Sequence, residues 1–74
     1  MRRDDLNEYL KQRPFQPFRL YLSTGAFVDI RRPELVHVGH STLSIGLPIE
    51  GDKQRFLEIA LIHIVWLEVL LPAP

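Results

Sequence analysis

Apolar and polar residues alternate along most of the chain after Pro17, a pattern typical of half-buried β-strands. β-Branched and aromatic residues are frequent in the alternating segments, which favours strands over helices. The alternation predicts six short strands, at residues 18–22, 26–30, 35–38, 42–47, 54–60 and 64–71. The pattern therefore indicates a mainly β domain.

The breaks between these segments predict how the strands connect. Ser23-Thr24-Gly25 predicts a hairpin turn, and residues 48–53 predict a polar loop. Pro33 has no N–H to donate, so it predicts either a bulge or one helical turn that begins there. Residues 60–63 leave two alternatives open: a tight turn between two strands, or the middle of one long amphipathic helix.

Residues 4–13 have the spacing of a short helix. Asp5 and Glu8 are spaced as in a capping box, and Pro14 ends the helical pattern. One face of this helix carries three apolar residues: Leu6, Tyr9 and Leu10. Because so short a helix does not persist alone, we expect that face to dock on the rest of the domain.

The length of 74 residues predicts a single domain over 1–74, with the helix within 1–13 and the β part at 17–71. The chain has no cysteine, which excludes disulfides and removes the preferred ligands of most zinc sites. Small domains usually gain stability from disulfides, from a bound metal or from association. The size therefore predicts that the chain associates with itself or with another protein.

The formal charge is zero, with nine Lys plus Arg against nine Asp plus Glu. Because nucleic-acid binders normally carry an excess of basic residues, this balance disfavours RNA as a partner. No apolar stretch is long enough to span a membrane, and no signal peptide is visible. We therefore expect a cytoplasmic protein without a membrane partner.

Five or six antiparallel strands need their edges closed or covered. A strongly bent small barrel of the Sm-like or SH3-like type achieves this in about this many residues. The sequence thus predicts a mainly β (α+β) fold in which an N-terminal helix precedes such a barrel.

The chain resembles the Sm-like and Hfq-type proteins in two segments. Phe18-Arg19-Leu20-Tyr21-Leu22-Ser23-Thr24-Gly25 is similar to their first motif, an alternating strand that ends in a polar residue and glycine. Residues 54–69 are similar to the second motif, which is a strand, a short turn and a closing strand. The resemblance implies an N-terminal helix, a strongly bent five-stranded sheet and assembly into rings that bind RNA. In the segments Pro17-Phe18-Arg19, Arg32-Pro33-Glu34-Leu35, Val38-Gly39 and His63-Ile64-Val65, the chain also resembles a group of small bacterial proteins of planctomycete-type genomes.

One segment departs from the Hfq-type pattern. Where those proteins carry Tyr-Lys-His-Ala before the closing strand, this chain has Ala60-Leu61-Ile62-His63. The lysine and histidine that contact RNA in that family are replaced by Leu61 and Ile62. The resemblance therefore assigns no RNA-binding residue to this chain.

Candidate chemical groups are few. His37 and His40 lie three residues apart, but His63 is distant in sequence, and a catalytic zinc needs three converging ligands. Neither a nucleophile elbow nor a phosphate-binding glycine loop is present in the sequence. We therefore expect no metal, no cofactor and no enzymatic activity.

The last predicted strand is apolar on both faces. If Val65, Leu67 and Val69 face the core, Ile64, Trp66 and Leu70 face outward. Either the N-terminal helix covers this surface, or the surface binds another protein. Tryptophan and tyrosine are enriched at protein–protein interfaces. The predicted interface residues are Ile64, Trp66 and Leu70, with Tyr21 and Phe27 as weaker candidates.

The alternative function is RNA binding. Arginine pairs well with phosphate, and aromatic rings stack on bases. The predicted RNA contacts are Arg19, Arg31 and Arg32.

Overall fold

A computed structural model describes residues 1–71, and for residues 48–50 it describes the backbone only. Its elements are α1 (Arg3–Lys11), β1 (Phe18–Leu22), β2 (Phe27–Ile30), a first 3₁₀ turn (Pro33–Leu35), β3 (Val36–Val38), β4 (Thr42–Glu50), β5 (Lys53–Ala60), a second 3₁₀ turn (Leu61–His63) and β6 (Ile64–Val69). The prediction of a mainly β chain with one short N-terminal helix is confirmed. Residues 72–74 of the predicted domain lie outside the described residues.

The six strands form two antiparallel sheets with the orders β2-β1-β6 and β3-β4-β5. The chain passes from the first sheet to the second through the first 3₁₀ turn, and it returns through the second 3₁₀ turn. Within residues 1–71, no hydrogen-bonded ladder joins the two sheets into a closed ring. β5 and β6 therefore each have one strand neighbour and one open edge.

The core lies between the two sheets and α1. Both sheets, the helix and the second 3₁₀ turn contribute buried side chains, namely Leu6, Phe18, Leu20, Ile30, Leu43, Ile45, Leu61 and Ile64. On α1, Leu6 is fully buried, and Tyr9 and Leu10 pack against this core. The apolar face of α1 is thus used by the core, as the helical spacing predicted.

The ends of α1 differ from the predicted ones. The helix begins at Arg3 after Arg2, and no side chain caps it, so the predicted capping box of Asp5 and Glu8 is wrong. Asp4 and Asp5 lie in the first turn, where their charges interact favourably with the helix dipole. The helix ends at Lys11 because Pro14 disfavours helical backbone at the residue before it.

The connections between strands confirm some predictions and correct others. Gly25, at φ 91°, forms the predicted β1–β2 turn, and Pro33 starts one 3₁₀ turn. The predicted polar loop at 48–53 is wrong, because β4 continues to Glu50 and Glu50 pairs with Lys53. Only Gly51 and Asp52 remain in that turn, and Gly51 has φ 67°, as a type II′ turn requires at its first position.

Residues 53–69 form two strands with a 3₁₀ turn between them. The alternative of one long helix through residues 60–63 is therefore wrong. β5 pairs with β4, and β6 pairs with β1, so this turn carries the chain from one sheet to the other.

Candidate protein interface

Three strands of the first sheet place six side chains in two rows on its outer face. Tyr21 on β1 lies opposite Phe27 on β2 and Trp66 on β6, and these three form the aromatic row. Arg19 lies opposite Asp29 on β2 and Glu68 on β6, and these three form the charged row. Because side chains alternate between the faces of a strand, both rows point away from the core residues Phe18 and Leu20.

The rings of the aromatic row are in contact. Tyr21 and Trp66 are stacked, with ring centroids 3.8 Å apart and an interplanar angle of 6°. Phe27 lies on the other side of Tyr21, with centroids 6.1 Å apart and the rings tilted by 51°. Phe27 and Trp66, at the two ends of the row, are 53% and 52% exposed. The row therefore presents ordered apolar surface to the outside of the molecule.

The charged row is joined by hydrogen bonds. Arg19 donates from Nε to Asp29 Oδ1 at 2.6 Å and from Nη2 to Asp29 Oδ2 at 3.1 Å. The Arg19 guanidinium also lies 4.0 Å from the ring centroid of Phe27, and the Tyr21 hydroxyl donates to Glu68 Oε1 at 2.8 Å. These contacts connect the two rows and fix the orientation of the rings.

Electrostatics follow from this geometry. The hydrogen bonds from Arg19 hold the pKa of Asp29 below its ordinary value, and the same bonds raise the pKa of Arg19. Both groups are therefore charged at neutral pH, and the charge of Arg19 is balanced within the sheet.

The open edges of β5 and β6 expose apolar side chains. On the outer side, Phe56 of β5 is 61% exposed and Val65 of β6 is 57% exposed. On the core side, Leu57 lies opposite Ile45 and Val69 lies opposite Phe18, yet they are 37% and 38% exposed. Core-facing residues of the other two edge strands are less exposed: Val28, Ile30, Val36 and Val38. The core is thus least covered along β5 and β6.

The predicted interface residues differ in their exposure. Trp66 and Phe27 are exposed, whereas Tyr21 is half-buried between them. Leu70 is half-buried, and its N–H donates to the carbonyl oxygen of Pro17 at 2.9 Å. Four of the five predicted residues therefore lie at or near the outer surface of the first sheet.

Ile64 was wrongly predicted to face outward, because it is 2% exposed and belongs to the core. The reason is a bulge in β6: Tyr21 pairs with Trp66 but Leu22 pairs with Ile64, so Val65 has no partner on β1. The extra residue turns Ile64 toward the core, and it turns Val65 outward, where the alternation predicted the opposite.

The N-terminal helix does not cover the aromatic row. Leu6 is buried in the core, and the ring of Tyr9 lies 5.8 Å from that of Phe18, which faces inward. The predicted alternative, in which the helix hides the outward residues of the last strand, is therefore wrong.

The three arginines predicted to contact RNA each have a carboxylate partner. Arg19 is held by Asp29, Arg31 Nη2 lies 3.5 Å from Asp29 Oδ2, and Arg32 Nε lies 3.4 Å from Glu34 Oε1. Arg31 and Arg32 are well exposed, with side chains at 64% and 71%. Arg19 is more enclosed, at 28%.

The histidines occupy exposed positions at separate sites. His37 lies on β3, His40 in the turn after β3, and His63 accepts or donates a hydrogen bond with Ser23 Oγ at 3.0 Å. Among residues 1–71, no group of three or more His, Cys, Asp or Glu is placed to hold a metal ion. The hydrogen bonds described for Ser23 and His63 include no carboxylate that would complete a catalytic triad.

Two parts of this surface were not predicted. The rows were visible only as a repeated spacing, since Arg19 and Tyr21, Phe27 and Asp29, and Trp66 and Glu68 are each two residues apart. The sequence did not indicate that Phe56 is exposed. Its position over Gly46 on the outer face follows from the register of β4 and β5.

Comparisons of this chain with protein-family models, curated proteins and solved structures found no match. In the described part of the chain, none of the helices has the length and apolar character needed to cross a membrane.

Proposed function

We propose that this chain is a non-catalytic, self-assembling module in which the β5 edge of one copy pairs with the β6 edge of a second copy. One observation carries the proposal: core-facing Leu57 and Val69 are left 37% and 38% exposed at the two open edges. Pairing these edges covers both side chains and satisfies the free backbone groups of both strands.

The surroundings of the two edges support the same pairing. Val65 and Trp66, which is one end of the aromatic row, lie on β6, and Phe56 lies on the outer side of β5. Exposed aromatic residues at a strand edge are typical anchors of protein interfaces. Antiparallel pairing also brings the end of β6, with Glu68, toward the start of β5, with Lys53.

The proposed fold is an Sm-like, strongly bent five-stranded sheet. If β2 and β3 are counted as one strand interrupted by the first 3₁₀ turn, the strand order is β6-β1-β2/β3-β4-β5. β5 and β6 are then the two ends of one sheet. Since they are different surfaces, their pairing is head-to-tail, which produces a closed ring or an open filament.

The RNA-binding alternative has less support. Arg19, Arg31 and Arg32 share the carboxylates Asp29 and Glu34, so three positive charges face two negative ones. The one charge that remains is too little for RNA, whose binding depends on the neutralisation of several phosphates. RNA binding is expected to weaken steeply with salt, whereas apolar assembly persists. Mobility shift with bulk RNA at two salt concentrations, run beside light scattering, separates the two functions.

The edge pairing is tested with one blocking variant for each edge. Phe56→Lys places a charge on the β5 edge, and Val65→Lys places one on the β6 edge; both sites are more than half exposed. Light scattering of the unmodified chain should give the mass of an assembly, and each variant alone should give the mass of a monomer. A mixture of the two variants should give a dimer, because one intact β5 edge and one intact β6 edge remain.

Ala26→Lys is the matched control, since it adds the same charge at the exposed β1–β2 turn and should leave the assembly intact. A monomeric unmodified chain at every concentration would contradict self-assembly. An assembly that survives both edge variants, or a variant mixture that stays monomeric, would show that another surface carries the association.

A further inference from the structure

A cleft lies where the two sheets separate. β3 pairs with β4 only from Leu43 to Ile45, so the next residues of β4, Gly46 and Leu47, have a strand neighbour on the β5 side alone. β2 is likewise an edge strand, paired only with β1. The first 3₁₀ turn bridges this gap and leaves a cleft of about 260 Å³ between β2 and β4.

The walls of this cleft are mainly apolar. Its apolar lining residues are Val28, Ile30, Leu35, Val36, Ile45 and Leu47. Ile30 and Ile45 belong to the core, so the cleft reaches down to buried surface. Pockets for drug-sized ligands usually measure about 300–1,000 Å³, so the occupant of this cleft is smaller than such ligands.

Two arginines line the same cleft. Arg31 and Arg32 come directly before Pro33, and their exposed guanidinium groups have one described carboxylate contact each, at 3.5 and 3.4 Å. A guanidinium has five N–H donors, so both side chains keep donors for a further anion. Asp29 also lines the cleft, but its two oxygens accept hydrogen bonds from Arg19.

We propose that this cleft binds a small monocarboxylate with a short aliphatic tail, with the carboxylate at Arg31 and Arg32 and the tail between β2 and β4. Charge complementarity selects the head group, because paired N–H donors of arginine match the two oxygens of a carboxylate. The apolar walls select the tail. This site does not use the β5 and β6 edges, so the inference is independent of self-assembly.

The test titrates the isotope-labelled full chain with octanoate, hexanoate and octanamide, followed by nuclear magnetic resonance. Octanoate should shift the amide signals of cleft residues such as Val28 and Leu47. It should bind about fifteenfold more tightly than hexanoate, since each buried methylene tightens binding about fourfold. It should also bind at least about tenfold more tightly than octanamide, which has the same tail without the charge.

The variant Arg31→Gln/Arg32→Gln should weaken octanoate about tenfold and leave octanamide unchanged. Arg2→Gln, at an exposed arginine before α1, is the matched control and should change neither ligand. Equal affinity for octanoate and octanamide, unchanged octanoate binding in the double variant, or signal shifts spread away from the cleft would each overturn the proposal. Even if the double variant does not fold, the comparisons of octanoate with hexanoate and with octanamide on the unmodified chain test the proposed site.

Discussion

Arg19 connects the two rows on the outer face of the first sheet. It binds both oxygens of Asp29 and at the same time lies over the ring of Phe27. A single exposed ion pair usually stabilises a protein little. Here the pair is two-pronged and partly enclosed, with side chains at 28% and 22% exposure, so it also orders the neighbouring rings.

The Asp29 carboxylate should make folding stability depend on pH. Its pKa is lower in the folded protein than in the unfolded chain, because Arg19 stabilises the charged form. The stabilisation is therefore complete above the unfolded pKa of about 4 and is lost as the pH falls through the folded pKa. Thermal unfolding should show Asp29→Asn less stable than the unmodified chain at pH 7, with a difference that shrinks below about pH 4.

Glu34→Gln is the control for this titration. It removes the partner of Arg32 at a more exposed pair, with side chains at 71% and 62%, and should lower the unfolding temperature less than Asp29→Asn at pH 7. An equal effect of Asp29→Asn at pH 7 and at pH 2 would contradict the role assigned to the carboxylate.

At the scale of elements, the sequence predicted the strands well and their exposed faces less well. Alternation placed the bounds of β1, β2 and β5 within one residue of those in the structure. It failed for β6, since a bulge adds one residue and reverses the side on which Ile64 and Val65 lie. Alternation within a strand carries no information about such a bulge, which arises from pairing with β1.

Turn chemistry set a second limit on prediction. Pro48 and the turn residues after it indicated a loop, but β4 continues as a strand to Glu50. β3 has no residue opposite this part of β4, so β4 pairs here with β5 alone, and that ladder is irregular between Leu47 and Glu50. A proline is tolerated in such a place because its missing N–H interrupts no regular ladder bond.

The bulge in β6 makes a prediction about two adjacent residues. Ile64→Ala removes a core side chain and should lower the free energy of unfolding by about 2–5 kcal/mol. Val65→Ala, one residue later at a 57% exposed position, should lower it by less than about 0.5 kcal/mol. Urea denaturation at low protein concentration measures both, and equal costs would contradict the register described for β6.

At the scale of the whole molecule, the packing leaves part of the core side of each sheet exposed at one edge. Among the described side chains, eight are buried in the core, whereas the core-facing side chains Leu57 on β5 and Val69 on β6 remain partly in water. The size of the chain predicted association, but the location of the open edges required the strand order. Residue spacing alone does not show which strands lie at the open edges.

Association through these edges should couple stability to protein concentration. If folded chains associate and unfolded chains do not, the unfolding temperature rises with protein concentration. We expect such a rise for the unmodified chain and for Ala26→Lys over about a hundredfold range of concentration. Phe56→Lys should remain folded, as circular dichroism can show, but its unfolding temperature should not change with protein concentration. Because the β5 edge is the only surface changed, a rise that persists in Phe56→Lys would place the association elsewhere, and a constant temperature in all three proteins would mean that Leu57 and Val69 remain exposed in the functional state.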